Sequence, residues 1–333
     1  MRQKSQRRLL LALTLILIAV FGLSMFIGRY PKPYWMPPDL LWRDPLALQL
    51  VLNLRLPRII TACLLGMVLS AAGIVLQMLF RNPLVEPGFL GVSQGAAFGA
   101  ALGIIVLGTS PLLMQGMSTL FALLGLAASY FLARHIRYGG WTLRLILAGI
   151  AISAFFSAGV GLLKIIADPL SELPELMFWL LGALWGTNWT KVLTILPVVI
   201  ICLVVVIAMR WRLNVLSLDD ETVTSLGVAA STERGILLLT VVAATAALVS
   251  ISGIVGWVGL IIPQLARRWF GADTQVSLPG AILMGGIFTL LCDDIARALL
   301  PGEIPLGILT SLLGAMLFIV LMVAPSSNIV SNP

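Results

Sequence analysis

An all-α polytopic membrane protein of ten transmembrane helices is the fold class this sequence predicts. Three observations carry that reading. The 333 residues are 59% hydrophobic and 11% charged, with a mean hydropathy of +1.06, whereas soluble proteins average about 25% charged residues. The apolar residues fall into runs of about 20, the number a helix needs to cross a bilayer core of ~30 Å. Between the runs stand clusters of Arg, Pro and Gly through which a helix does not continue. A soluble fold of this size could not hide so much apolar surface. The bilayer is therefore the solvent, and 1–333 reads as a single transmembrane domain.

The first span is 9–27. Its basic leader, MRQKSQRR, resembles the start of a signal peptide. The apolar part is about 19 residues, longer than the usual 7–15-residue signal core, and no A-x-A site follows, so it reads as an uncleaved helix. Residues 28–53 carry Pro31, Pro33, Pro37 and Pro38 with Tyr34, Trp35 and Trp42, the composition of an interfacial loop. The second span, 57–80, lies between Arg55 and Arg58 at one end and Arg81 at the other. It is followed by a connector, 81–91, that Pro83 and Pro87 keep from being helical.

The third and fourth spans are 90–107 and 113–133. A basic turn, 134–144, leads into the fifth, 143–167, whose Ala148, Gly149, Ser153 and Ser157 are among many small residues. Small residues let helices approach closely in lipid; a face of them can also line a pathway, and the same holds for the Gly66, Ser70, Gly73 and Gln77 set of the second span. Residues 168–175 are acidic and proline-broken, and 178–185 predict a short interfacial helix. The sixth span is 192–209, and the connector 210–234 is the most charged of the second half. The seventh and eighth spans are 235–252 and 256–270, the latter holding Pro263. The ninth, 279–300, carries Asp293, Asp294 and Arg297. A turn at 301–305 precedes the tenth, 306–323. Ten crossings return both termini to one side. With that side cytoplasmic, thirteen of the 21 Lys and Arg lie inside and eight outside, so both termini are expected in the cytoplasm.

Composition also excludes. The net charge of +7 reads as positive-inside arginine, not as a nucleic-acid surface. Cys63, Cys202 and Cys292 sit inside apolar runs without metal or disulfide spacing, and the one histidine, His135, has no ligand partners nearby. No metal site or cofactor is expected. There is no Gly-Lys dipeptide, hence no P-loop, so ATP chemistry must reside on a partner chain. No nucleophile–base set marks a membrane enzyme. The first seven spans carry no acid at mid-membrane, which weighs against an ion-coupled secondary carrier. Asp293 and Arg297, spaced i, i+4, can pair on one face; a structural salt bridge and a functional role both stay open.

A set of blocks in fixed order then makes the chain recognisable: Arg55-Leu-Pro-Arg58, Gln77, Arg81-Asn-Pro-Leu-Val-Glu-Pro-Gly-Phe-Leu-Gly91, Leu147-Ala-Gly-Ile-Ala151, Phe178-Trp-Leu-Leu-Gly182, Leu213-Asn-Val-Leu216, Ser225-Leu-Gly-Val228, Val258-Gly-Leu-Ile-Ile-Pro263, Leu265-Ala-Arg267 and Glu303-Ile-Pro-Leu-Gly307. Over about 52–321 the sequence resembles the FecCD family of permeases, the spanning subunits of ABC importers for iron–siderophore complexes, haem and cobalamin. The resemblance implies a type II ABC importer permease fold in a prokaryotic cytoplasmic membrane. It implies inverted repeats of spans two to five and seven to ten, and a pathway at the interface of a homodimer or pseudo-dimer. It also implies two ATP-binding subunits and an extracytoplasmic binding protein as partners. By the same resemblance, Arg55, Arg58 and Arg297 would meet glutamates of the binding protein. Residues of the loop 213–228 would contact the ATPase: Leu213, Asn214, Leu216, Leu218, Asp219, Asp220, Glu221, Leu226 and Gly227. Gln77, Ala148, Gly149, Ser153 and Ser157 are the pathway or gate candidates.

This sequence departs from the family pattern at Asp219, where glycine is usual, at Gln264 in place of histidine, and at Ile254 and Met316 in place of proline. The cargo expected is an iron–siderophore or related metal chelate, with haem, cobalamin and molybdate as alternatives within the class.

Overall fold

The computed structural model describes residues 2–108 and 110–323. The chain opens with α1 (Arg2–Ser24), then two short antiparallel strands, β1 (Ile27–Gly28) and β2 (Tyr34–Trp35), paired Ile27 to Trp35. The expected interfacial loop is partly helical. It holds α2 (Leu40–Arg43) and α3 (Pro45–Leu50), and a π-helical turn, Val51–Arg55, runs α3 straight into α4 (Leu56–Leu79). The reason is local: Asp44 caps α3 by accepting the Leu46 N–H at 2.9 Å, and Pro45 sits at the first helical position, where its missing donor costs nothing. The Tyr30 hydroxyl donates to the same carboxylate, which holds Asp44 below the usual carboxylate range.

The remaining helices are α5 (Val92–Ile105), α6 (Pro111–His135), α7 (Trp141–Ile166), α8 (Glu172–Leu180), α9 (Trp189–Ala208), α10 (Arg210–Leu216), α11 (Asp220–Ser225), α12 (Ala230–Ser252), α13 (Val258–Phe270), α14 (Thr274–Ala298) and α15 (Leu306–Val323). Two expectations change. The short helix is α8, which starts six residues before the predicted 178 and leaves Trp185 in the following loop. Glu172 and Glu175 favour a helix start, Pro174 is tolerated in the first turn, and Gly182 turns the chain at φ 71°. The connector 210–234 is α10, α11 and the first turn of α12.

Eight helices among the described residues are long and apolar enough to cross a membrane. The other two of the expected ten, α5 and α13, have 14 and 13 residues. Each is shortened by a non-helical break before it. A 3-10 turn at Pro87–Leu90 and Gly91 at φ 79° precede α5; a non-helical stretch from Gly253, φ 66°, to Trp257, φ 71°, precedes α13.

The core is built around α4. About 83% of its apolar window is buried, against 17% for α1, which rides on the periphery. Its main partner is α14. A Cβ on Gly66 would stand 2.0 Å from the Gly285 carbonyl, and one on Gly285 would stand 2.2 Å from the Gly66 carbonyl. The two backbones therefore touch, and Thr289 Oγ1 donates across the seam to Ala62 O at 2.7 Å. Lipid supplies no hydrophobic force between helices, so this close packing is what holds them.

Candidate functional site: a cavity between two helix breaks

The two breaks face each other across a cavity of about 340 Å³. One wall is Glu86, Gly88 and Phe89; the opposite wall is Ile254, Val255 and Gly256. Leu69 of α4, Ser153 of α7 and Thr245 of α12 close the sides. Those three lie well inside their spans, so irregular backbone reaches membrane depth on both sides. Hydrocarbon tolerates such backbone only where protein buries it or where it lines a polar cavity. Interrupted segments at corresponding places, each after a long span and before a short one, mark a transporter's substrate region.

Glu86 was invisible to a reading that looked for acids inside apolar runs. It comes from the connector, and its Oε2 accepts the Trp257 N–H at 3.3 Å at the start of α13. An acid of the connector therefore reaches the depth of the spans, while the first seven spans themselves carry none at mid-membrane. The signal available was positional: an acid between two prolines in the break itself.

The pathway candidates separate. Ser153 lines the cavity, and its hydroxyl is buried without a hydrogen-bond partner among the described residues. Gly149 is a packing position, because a Cβ there would stand 2.2 Å from Phe89 O. Ala148 beside it is buried, and Ser157 is on an exposed face of α7. Gln77 does not face the cavity. Its amide donates to Gly259 O at 3.3 Å and Leu260 O at 3.2 Å, and its Oε1 accepts from Arg267. It brackets α4 to α13.

At the Arg55 end of α4 the structure differs from a row of free arginines. Arg58 and Arg297 are 8% and 7% exposed. Arg58 Nε donates to Asp293 Oδ1 at 2.8 Å and Nη1 to Glu303 Oε2 at 2.6 Å. Arg297 pairs with Asp294, lies 3.7 Å from Asp293 Oδ2, and donates to Ser24 O. Asp294 also accepts from Ser24 Oγ at 2.7 Å. Arg55 donates to Met25 O at 2.8 Å and Tyr30 O at 3.3 Å. Buried charge persists because Arg58 and Arg297 each have an aspartate partner. Arg55, Arg58, Arg297 and Glu303 still border an open cavity of about 550 Å³ together with Arg29 and Trp185, and Glu303, 46% exposed, is the most accessible of the paired acids.

At the opposite end, Leu213 and Leu216 are fully buried. Their i, i+3 spacing puts both on the inner face of α10. Leu218 and Leu226 are exposed at 42% and 58%, as are Asp219, Glu221 and Gly227. Asn214 is spent internally: its Nδ2 donates to Asp273 Oδ1 at 2.8 Å, and its Oδ1 accepts from Thr274 N at 3.0 Å and Thr274 Oγ1 at 2.7 Å. Asp219, the departure from the family's glycine, caps α11, which Asp220 opens, by accepting from Thr222 N at 2.9 Å. The Thr222 N–H and hydroxyl hold its carboxyl below the usual range, with Arg81 adding to the effect.

The chain is similar to known proteins along almost its whole length. The family model described as "FecCD transport family" matches residues 15–324. The molybdate import system permease protein MolB of Haemophilus influenzae is 40% identical over 97% of each chain. The hemin transport system permease protein HmuU of Yersinia pestis is 36% identical over 96% of each. A solved ABC transporter described as of the metal-chelate type, in an inward-facing conformation, superposes with a TM-score of 0.88 at 40% identity, covering 95% of this chain and 99% of that one.

Proposed function

The chain belongs to the FecCD transport family, and from that premise we propose how its geometry is used. It is the membrane-spanning permease of an ABC importer, a multi-pass protein of the cytoplasmic membrane. Its relatives carry iron chelates, haem, citrate or hydroxamate complexes of iron, cobalamin and molybdate, and an ion-coupled carrier is not favoured. The cargo proposed is a metal chelate, iron–siderophore first. The pathway lies at the interface of two copies, and the observation that supports a transport role for this chain is the cavity between the breaks at 86–89 and 254–256.

The permease works as two copies side by side, with two ATP-binding subunits on the cytoplasmic side and a binding protein outside. ATP hydrolysis belongs to the ATPase subunits. Both termini are cytoplasmic. The ATPase meets the exposed residues of the α10–α11 end, Leu218, Asp219, Glu221, Leu226 and Gly227. Carboxylates of the binding protein enter the mouth bordered by Arg55, Arg58 and Arg297, where the rigid arginine fork suits them. Exchange of Glu303 for a partner's acid at Arg58 keeps the buried guanidinium paired throughout.

Reconstitution with the ATPase and binding protein in proteoliposomes tests the reading. Uptake of one of a panel of ferric siderophore, haem, cobalamin and molybdate is expected to require ATP, ATPase and binding protein, and to survive a protonophore. Uptake without the ATPase subunit, or collapse with the protonophore while ATP stays high, contradicts it.

A further inference from the structure

The loop between α10 and α11 is tied to the cavity wall through one side chain. Arg81 follows the end of α4, and its guanidinium donates to the Leu218 carbonyl. Its backbone has φ 48°, a left-handed conformation that a non-glycine residue keeps only where its surroundings fix it. They do so here: Arg81 N donates to Met78 O at 3.3 Å, and Asn82 N to Gln77 O at 3.2 Å. Six residues on, Pro87 begins the turn that lines the cavity.

What lies between is stiff. Pro83 and Pro87 fix their φ angles. Asn82 Oδ1 accepts from Leu84 N at 2.9 Å, and Gln264 Nε2 of α13 donates to Pro83 O at 3.2 Å. Glu86 binds Trp257 N at the far end. The connector thus has few soft torsions in which to absorb a displacement, and it touches both breaks. Asn214 clamps α10 to the start of α14 independently.

We propose that Arg81 is a positioning residue for transport: a strut that carries movement of α10 and α11 to the wall of the cavity. The proposal rests on the permease reading above. An ATPase displacing α10 and α11 pulls the Leu218 carbonyl and with it Arg81. The connector follows as a body, and the cavity wall that it forms at 86–89 moves with it. Loss of the strut leaves ATP hydrolysis running while the wall no longer follows.

The experiment uses the full transporter in proteoliposomes, with hydrolysis and uptake measured in the same vesicles for wild type, Arg81→Ala and Arg81→Lys. R81A is expected to assemble, to hydrolyse ATP within about twofold of wild type and to lose at least about tenfold in uptake, with R81K recovering much of it. Unchanged uptake, an equal fall in both rates, or failure of R81A to assemble overturns the proposal. A second measurement keeps Arg81 intact. Spin labels at Leu84→Cys and Trp211→Cys, both exposed, report the spacing of connector and α10, the native cysteines being buried. That spacing is expected to stay constant on ATP binding; a change beyond the width of the distribution overturns the strut. Wild type that shows no ATP-driven uptake counts against the permease reading, not against Arg81 alone.

Discussion

The two ends of this permease use charge in opposite ways. At the mouth near Arg58, two arginines and two aspartates are almost wholly buried and pair with one another across α4 and α14. At the α10–α11 end Asp219 and Glu221 are exposed, and Asp219 caps the six-residue α11. The first arrangement is a frame, since each charge is costly unless every partner stays in place. The second is a surface that can be displaced, because its charges keep water whichever way the helices tilt. On the docking proposed above, recognition at the mouth works through the accessible Glu303, while recognition at the other end has several exposed side chains to use.

The contrast can be broken most forcibly at Arg58. Arg58→Ala leaves the buried Asp293 with Arg297, 3.7 Å away, as its remaining partner, and the expected loss is about 3–5 kcal/mol of stability, as for other buried pairs that lose one partner. A melting temperature in detergent near that of wild type would mean the network is not a frame. Gln77→Leu comes next. It leaves the Gly259 and Leu260 carbonyls and the Arg267 guanidinium without that amide, at about 1–3 kcal/mol, and the loss should read as faster amide exchange in α13.

Glu303→Gln is smaller in stability, under about 1 kcal/mol for a half-exposed pair, yet it sharpens the comparison more. Removing the resident negative charge from Arg58 should tighten binding-protein association, most visibly at low salt. Weaker or unchanged association in a titration would separate Glu303 from docking. The smallest effect is expected at Asp219. Its lowered pKa means the cap contributes above the ordinary carboxylate value of about 3.9 and is lost only as pH falls through the lower folded value. Helix α11 should thus keep its Thr222 amide protected at pH 5, and Asp219→Ala should remove that protection at every pH.

The spans were legible because length, hydropathy and Pro or Gly punctuation are local: the predicted 306–323 is α15, and 57–80 differs from α4 by a residue at each end. Of the mouth only the local pair of Asp293 with Arg297 was legible. Arg58 and Asp293 are 235 residues apart in sequence, and the close packing of α4 on α14 around Gly66, Gly285 and Thr289 brings their helices together. Sequence order showed outward arginines; tertiary packing gave them partners. The same gap hid the inward face of Leu213 and Leu216, since a seven-residue helix carries too few residues to declare its periodicity. Glu86 escaped because the break that holds it reads as a loop, while the fold carries that loop back to membrane depth.

On the proposed function, the cavity between the two breaks opens onto the pathway at the interface of the two copies, and Gly88 and Gly256 test that directly. Both line the cavity, and a Cβ at either meets no closer atom than 3.5 Å, so Gly88→Cys and Gly256→Cys fit without strain. In the assembled transporter both thiols should react with a membrane-impermeant reagent, and cargo should protect them during turnover, against a silent background from the buried Cys63, Cys202 and Cys292. Thiols that resist the aqueous reagent in every nucleotide state, yet yield to a lipid-soluble one, would place the pathway elsewhere.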